Sequence, residues 1–206
     1  MNLLREYIRA LLTEAAKGPA DLPNDVVIAI KARGAMTTIH YGQKADPTKP
    51  VNMGGPNDWM GYIDLASNAK IQKGLGVGSC GGAWMISMVE TASGWGPLLY
   101  DVAMEYATEA GGGLISDRGE VSSAARRVWN YYMQNRGDVT GIQLDDLKNT
   151  LTPEERDNCD QNVATYSTGY PSANTMDWTD SPLSKRWTKP PTMMNALRAA
   201  GKLVML

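Results

Sequence analysis

A strand-like segment leads through a glycine-rich turn into an apolar helix, an order of elements that proteins use to bind anions. The run AWMISMVE (83–90) predicts a buried strand, and GWGPLLYDVAMEYA (94–107) begins as a turn and continues with helical spacing. Backbone N–H groups in the first turn of a helix lack intrahelical partners, and the helix dipole favours negative charge there. Pro97 suits this position because its missing N–H leaves no bond unmade. Residues 94–98 therefore predict either a phosphate cradle or a plain connection that needs glycine.

A second glycine motif, GVGSCG (76–81), matches the letters of the dinucleotide fingerprint GxGxxG. That fingerprint requires a helix directly after it and an acidic residue about 20 positions further on. The sequence that follows, GAWMISMVE, is typical of a strand instead. We therefore interpret residues 76–81 as a flexible loop or a bulge.

Few side chains are available for metal or nucleophile chemistry. His40 is the only histidine and lies in the strand-like run TTIHYG, while Cys80 and Cys159 are the only cysteines and belong to no CxxC or Cys/His cluster. A histidine-based metal site or a Ser-His-Asp triad therefore lacks its parts. We expect no metal, a structural or surface role for His40, and two free thiols in a reducing compartment.

The composition is that of a globular protein with a core of its own. The chain has 206 residues, of which 43% are hydrophobic and 20% charged. A net charge of −2 argues against non-specific binding to nucleic acid, which favours basic proteins. No apolar run approaches the roughly 20 residues that a membrane-spanning helix needs, and we expect no membrane partner.

The elements before the turn alternate between strands and loops after a helical prefix. Apolar residues at helical spacing in LLREYIRALLTEAAK (3–17) predict a helix that ends at Gly18-Pro19 and is available to contact a partner protein or another copy. The remaining predictions upstream are a hairpin formed by strands 26–34 and 36–42, a long surface loop over 43–58, a strand over 59–67 and a glycine-dense segment over 69–82.

Downstream of the turn, the periodicity predicts helices until about residue 145 and weakens after it. The segment EVSSAARRVWNYYMQNR (120–136) has one apolar face and a natural N-cap at Ser122 or Ser123. The other predictions are a helix over 97–110, a short strand over 114–117, a short helix over 151–159 capped by Thr152, irregular structure over 162–192, and a helix, a break at Gly201 and a strand within 192–206.

The run MISMVETASGWGPLLYDVAMEYATEAGGGLISDRGEVSSAARRVWNYYM (85–133) resembles the core of the GCN5-related N-acetyltransferases. In that family a strand leads to a Gly-x-Gly turn that binds the pyrophosphate of acetyl-CoA, and a helix, a strand and a second helix follow. Gly94-Trp95-Gly96 takes the place of that turn, and GYIDLAS (61–67) is similar to the central antiparallel strand of the family. The resemblance covers about residues 26–135.

Three positions depart from the family pattern. Thr91 stands where the family has Arg or Gln, and Ser122 stands where the second helix of the family begins with Asn. Trp129 stands where a tyrosine often protonates the departing thiolate. The departures bear on catalysis more than on the fold.

The resemblance implies an α/β (α+β) fold with a mixed, mostly antiparallel sheet flanked by helices, as in the acyl-CoA N-acyltransferases. It implies direct transfer of an acetyl group from acetyl-CoA to a small amine or a protein amine, with a strand N–H near residues 88–90 polarising the carbonyl. The implied catalytic residues are Glu90, as a base acting through water, and Tyr131 or Tyr132 as the acid. The implied cofactor-binding residues are Met88, Val89, Gly94, Trp95, Gly96, Pro97, Leu98 and Ser122.

The domain organisation leaves a second function class open. We expect a helical prefix over 1–20, an acetyltransferase-like core over 24–145 and an irregular extension over 146–206 that packs on the core. The prefix resembles N-terminal helices of tailed-phage proteins, which implies a non-catalytic virion or accessory interaction protein as the alternative, located in the virion or in the bacterial cytoplasm. A third possibility is a small-molecule-binding module that uses only the cradle at 94–98.

Overall fold

The computed structural model describes residues 17–53, 59–165 and 178–206, which belong to two compact units. The described residues of the first unit are 17–53, 59–64, 88–103 and 191–206, and those of the second unit are 65–87, 104–165 and 178–190. The predicted prefix helix lies outside the described residues except for Lys17. Parts of the predicted loop (54–58) and of the irregular extension (166–177) lie outside them as well.

The described residues form a mixed α/β (α+β) fold, as the sequence predicts. The helices are α1 (Asn68–Leu75), α2 (Gly96–Ala110), α3 (Ser123–Asn135), α4 (Asn162–Thr165) and α5 (Thr192–Ala199). The strands are β1 (Val26–Arg33), β2 (Met36–Gln43), β3 (Asp46–Pro50), β4 (Gly61–Ala66), β5 (Trp84–Thr91), β6 (Leu114–Ile115), β7 (Thr140–Gln143), β8 (Asp145–Asp146), β9 (Asn158–Cys159), β10 (Lys185–Thr188) and β11 (Leu203–Met205). No helix among these is long and apolar enough to cross a membrane.

The first unit is built on the hairpin of β1 and β2. Their antiparallel register runs from Val26 opposite Gln43 to Arg33 opposite Met36, which confirms the predicted hairpin. The strand order in this unit is β11, β1, β2, β4 and then residues 88–91 of β5, with β3 paired to β2. Cross-strand partners share a face of the sheet, and one face carries large side chains that are fully buried. These are Ile28, Ile30, Ile39, Tyr41 and Ile63.

The second unit combines a short mixed sheet with aromatic packing. The first half of β5 runs parallel to β6, β6 is antiparallel to β10, and β10 is antiparallel to β7. Trp129 of α3 stacks on Trp187 of β10, with ring centroids 6.2 Å apart and planes 25° apart. Both indoles are buried, so these two rings anchor α3 within the second unit.

A disulfide joins Cys80 and Cys159, so the expectation of two free thiols is wrong. The bond links residues 79 positions apart, and both cysteines are fully buried. Backbone hydrogen bonds on either side support it, from Asp160 N to Val77 O (2.8 Å) and from Gly81 N to Arg156 O (2.7 Å). The fold brings the two distant segments together, and the cysteines therefore give no support to a reducing compartment.

The predicted helix over 151–159 does not form. The carboxylate of Asp145 accepts hydrogen bonds from the backbone N–H groups of Leu151 (2.7 Å) and Thr152 (2.7 Å), and from the Thr152 hydroxyl (3.2 Å). The groups that would begin a helix are thus used to close a loop. The chain then enters β9, which pairs in parallel with β8.

Three other segments contain more regular structure than the sequence predicts, and one of them is the expected irregular stretch 162–192, which contains α4 and β10. Within the expected surface loop, β3 (sequence DPTKP) pairs with β2, and its prolines are tolerated because it lies at an edge. Within the glycine-dense segment, α1 forms and ends before Gly76, whose φ of 62° favours glycine. The other predicted helices and strands are confirmed to within a few residues, including the helix, the Gly201 break and the strand at the C-terminal end.

Gly112, just after α2, cannot accommodate a side chain. A Cβ at Gly112 would lie 2.3 Å from the Gly82 carbonyl oxygen, whereas a Cβ at Gly111 would meet nothing within 4 Å, and both glycines have positive φ. We expect Gly112→Ala to lower the free energy of unfolding by about 2–5 kcal/mol, because the backbone clash adds to the strain of positive φ. The matched variant Gly111→Ala should lose only about 1–2 kcal/mol. Urea unfolding of the two variants compares them, and equal losses would contradict the clash.

Candidate functional site

The turn between β5 and α2 in the first unit has the geometry that the sequence predicts. β5 ends at Thr91, Gly94 adopts a φ of 82°, and α2 begins at Gly96. A hydrogen bond from Trp95 N to Ala92 O (3.1 Å) closes the turn. The short connection therefore places the start of a 15-residue helix directly after a sheet strand.

Trp95 forms the buried base of this turn. Its indole is 3% exposed and packs edge-on against Tyr41 of β2, with ring centroids 5.4 Å apart. The Tyr41 hydroxyl donates a hydrogen bond to the Trp95 carbonyl at 2.7 Å. Burial raises the pKa of Tyr41 well above its usual value, so the phenol remains neutral and keeps its donor proton.

Lys17 also contacts this turn, through both its backbone and its side chain. Its backbone N–H donates to the Gly94 carbonyl at 3.0 Å, and its ammonium lies 4.7 Å from the centre of the Trp95 ring, a cation–π contact. The Trp95 carbonyl and the Gly94 carbonyl are thus both bonded. The turn is fixed by contacts within the first unit before any ligand arrives.

The first helical turn of α2 offers backbone N–H groups as donors and contains no acidic residue. Its residues are Gly96, Pro97, Leu98 and Leu99, so no carboxylate of this turn competes for the positive end of the helix. Gly96 is closely approached, since a Cβ there would lie 3.2 Å from the Thr91 hydroxyl oxygen. The indole Nε1 of Trp95 is buried and has no hydrogen-bond partner among the described residues. The backbone N–H groups of the first helical turn favour an anionic ligand.

The second half of β5 carries the other predicted residues of the first unit. Met88 is 54% exposed, Val89 is half-buried and Glu90 is exposed. Gly61 of β4 adopts a φ of 146° and approaches this segment so closely that a Cβ would lie 2.9 Å from the Glu90 carbonyl oxygen. β4 and β5 are therefore in close backbone contact beside Glu90.

Sequence reasoning missed a set of polar side chains near Glu90, which we name the polar strip: Thr38, Tyr62, Asp64 and Glu90. The Thr38 hydroxyl donates a hydrogen bond to the Asp64 carboxylate at 2.5 Å. Partial burial and the negative charges of Glu90 and Asp64 raise the pKa of Tyr62 above its usual value. Tyr62 and Asp64 are two residues apart on β4, and side chains two apart on a strand lie on the same face of the sheet. This spacing is the sequence pattern that could have identified the pair.

His40 has a structural role, as expected. It is buried on β2, and its Nε2 lies 3.0 Å from the Pro47 carbonyl oxygen of β3. Burial lowers its pKa, so the ring is neutral near pH 7 and Nε2–H donates to Pro47. The side chain thereby attaches β3 to the hairpin.

Ser122, Tyr131 and Tyr132 belong to the second unit, unlike the other predicted residues. Ser122 is the N-cap of α3, and its hydroxyl accepts a hydrogen bond from Ala125 N at 3.2 Å. Tyr132 is buried, with its ring 6.3 Å from that of Trp129, whereas Tyr131 is half-buried. Their predicted roles toward acetyl-CoA stay predictions.

Comparison with protein-family models, with curated proteins and with solved structures finds no match for this chain. Across residues 17–53, 59–165 and 178–206, no group of three or more His, Cys, Asp or Glu side chains is placed to hold a metal ion. The candidate site therefore rests on the geometry of the turn and of the polar strip.

Removing the Tyr41 hydroxyl tests how the turn is held. We expect Tyr41→Phe to lower the free energy of unfolding by about 1–3 kcal/mol, because the Trp95 carbonyl loses its buried donor. Urea unfolding measures the loss. A loss below about 0.5 kcal/mol would show that this hydrogen bond does not support the turn.

Proposed function

We propose that the first unit binds acetyl-CoA at residues 94–98 and that the protein is an N-acetyltransferase acting on a small amine or a protein amine. The observation that carries the proposal is the turn that Tyr41 and Lys17 hold at the start of α2. Its small residues and its acid-free helix start fit a pyrophosphate. On this proposal the fold is of the acyl-CoA N-acyltransferase type.

The chemistry assigned to the first unit is general-base catalysis of direct acetyl transfer. Bound acetyl-CoA would supply a thioester; the amine attacks its carbonyl carbon, a C–N bond forms and the C–S bond breaks. Glu90 accepts the proton that the amine loses, through a water molecule, and the departing thiolate takes up a proton from solvent water. A backbone N–H of residues 88–90 would polarise the carbonyl oxygen.

One observation favours the second candidate, a non-catalytic phage virion or accessory interaction protein on the same type of fold. Trp129 stands at the position where the family that the sequence resembles has its proton-donating tyrosine. It is 1% exposed and stacked on Trp187, so this position serves packing. Binding of acetyl-CoA without turnover is the outcome that this candidate predicts.

Thermal melting with and without acetyl-CoA tests the proposal. Binding to the native state raises the melting temperature, since ligand at 100 times its Kd adds about 2.7 kcal/mol to the free energy of unfolding. We expect this rise to vanish in Gly96→Trp, because the indole would fill the space beside Thr91. The absence of any rise for the unmodified protein at millimolar acetyl-CoA would contradict the proposal.

A matched control separates loss of binding from loss of folding. Gly74 lies in α1, and a Cβ there would meet nothing within 4 Å. Gly74→Trp adds the same indole elsewhere and should keep the full rise with acetyl-CoA. An equal loss in both variants would place the effect outside the cradle.

A further inference from the structure

The edge strand β3 has few backbone donors with which to pair to the hairpin. Two of its residues, Pro47 and Pro50, have no N–H group, and the N–H of Thr48 donates to the Asp46 carboxylate at 3.2 Å. Within β3 this leaves the N–H groups of Asp46 and Lys49 for the pairing with β2, whose register is irregular. The attachment of β3 therefore depends on further contacts.

The side chain of His40 provides such a contact at the Pro47 carbonyl. Its Nε2 lies 3.0 Å from the Pro47 oxygen, and a Cβ at Gly42 would lie 2.7 Å from the same oxygen. His40 is 7% exposed, and its other ring nitrogen, Nδ1, is buried with no hydrogen-bond partner among the described residues. The neutral ring fits this site, because Nε2 carries its one proton and Nδ1 has no proton to donate.

A doubly protonated ring does not fit the same site. Protonation would place an N–H group and a positive charge at Nδ1, which is buried without an acceptor. An imidazole in solvent takes up this proton at mildly acidic pH. Acidification therefore favours a state in which the ring of His40 has left its site, and the Pro47 carbonyl then loses its donor.

The charged groups on the strands beside His40 do not remove this preference for the neutral ring. Lys31 of β1 disfavours the imidazolium and Asp64 of β4 favours it, and the burial of the ring has a larger effect than either charge. Burial thus keeps the pKa of His40 below its usual value.

The charged groups of β3 itself form an exposed pair. The Lys49 ammonium lies 3.4 Å from the Asp46 carboxylate. Hydrogen bonds from Thr48 hold the pKa of Asp46 below its usual value, so Asp46 stays anionic above about pH 5. A change in β3 between pH 7 and pH 5 is therefore not caused by titration of its own carboxylate.

We propose that His40 is a pH-sensitive switch: the neutral ring holds β3 against the hairpin, and protonation of the ring releases β3. The bound ring has a pKa below the 6.5 of a free imidazole, so the attachment is at full strength above pH 6.5. It weakens as the pH falls from 6.5 toward the pKa of the bound ring. The proposal is independent of acetyl-CoA binding and of catalysis.

Hydrogen exchange at the Val51 amide measures the release of β3, because this amide follows β3 directly and donates to the Tyr41 carbonyl at 2.8 Å. Release coupled to protonation of His40 becomes up to about tenfold more favourable per pH unit below 6.5. We expect the protection factor of Val51, corrected for intrinsic exchange, to fall accordingly between pH 7 and pH 5. A fall of less than about twofold would overturn the proposal.

Two controls show whether the release is local and due to His40. His40→Gln keeps an N–H donor and does not titrate, so its Val51 protection factor should be the same at pH 7 and pH 5. The Ile28 amide, which donates to the Lys202 carbonyl at 2.8 Å, reports opening of the sheet between β1 and β11. An equal fall in His40→Gln, or equal protection of Val51 and Ile28 at pH 5, would overturn the proposal.

Titration of the imidazole by NMR remains decisive if His40→Gln does not fold. His40 is the only histidine, so its Cε1–H signal in the unmodified protein is identified without a variant. We expect a midpoint below 6.5. A midpoint at or above 6.5 would overturn the proposal, because protonation would then not weaken the attachment of β3.

Discussion

Replacing Lys189 by Met is expected to lower the free energy of unfolding by about 3–5 kcal/mol, one of the two largest effects expected in this protein. The ammonium of Lys189 is paired with the Glu105 carboxylate, and the two residues are 1% and 0% exposed. Removing the cation leaves the carboxylate of Glu105 buried without its counter-charge. The Lys189 backbone N–H also donates to the Thr108 hydroxyl at 3.1 Å, so the main chain at this position is held independently of the side chain.

A second carboxylate, that of Asp138, lies near Lys189, with its Oδ2 3.7 Å from the ammonium. Two hydrogen bonds of 2.7 Å from Arg136 hold the pKa of Asp138 at about 2, so Asp138 stays anionic at neutral pH and remains paired with Arg136 in the variant. Urea unfolding at neutral pH measures the effect.

Two further variants test whether the loss of stability comes from breaking the buried ion pair. The double variant Glu105→Leu/Lys189→Met should recover much of the loss, because no unpaired charge remains buried. Lys49→Met removes a lysine from an exposed pair with Asp46 and should change the free energy of unfolding by less than about 1 kcal/mol. A loss for Lys189→Met as small as that for Lys49→Met would contradict the buried pair.

Removing the disulfide is expected to lower the free energy of unfolding by about 4–5 kcal/mol, the value that loop-closure entropy gives for cysteines 79 residues apart. The variant is Cys80→Ala/Cys159→Ala, which leaves no thiol in the fully buried position. The unfolded chain without the bond gains the conformations that the closed loop excludes. Unfolding by urea in the absence of reductant measures the loss.

Chemical labelling provides the control for the disulfide. Alkylation of the unfolded, unreduced protein should modify neither cysteine, and prior reduction should expose both. Rapid labelling of two thiols without reduction, or a loss below about 1 kcal/mol in the double variant, would contradict a stabilising bond between Cys80 and Cys159.

Local periodicity was sufficient to predict the elements that carry the candidate site. The hairpin of β1 and β2 and the helix α2 are regular over many residues, and the Gly94–Pro97 segment carries its own turn chemistry. Thr152-Pro153 carries an equally local helix signal, yet Asp145 takes the N–H groups that this helix would use. Local signals therefore fail where a distant side chain competes for the same backbone.

The remaining parts of the candidate site depend on contacts between distant residues. Tyr41 and Trp95 are 54 positions apart, and nothing in the sequence near either residue shows that the phenol supports the turn. The same holds for the Thr38–Asp64 pair and for the disulfide, which are formed by the pairing of strands and segments rather than by spacing. The sequence predicted Glu90 from a resemblance, whereas the polar side chains near it on β2 and β4 became evident only in the folded sheet.

The most direct test of acetyl-CoA binding by the first unit is an NMR titration that follows each backbone amide. The account predicts saturable shifts, with a Kd below about 1 mM, at the amides of residues 94–96 and 98–99, where the turn meets α2. The Gly74→Trp protein should give the same shifts and the Gly96→Trp protein none. Unchanged amides at residues 94–99 in the presence of millimolar acetyl-CoA would contradict the account.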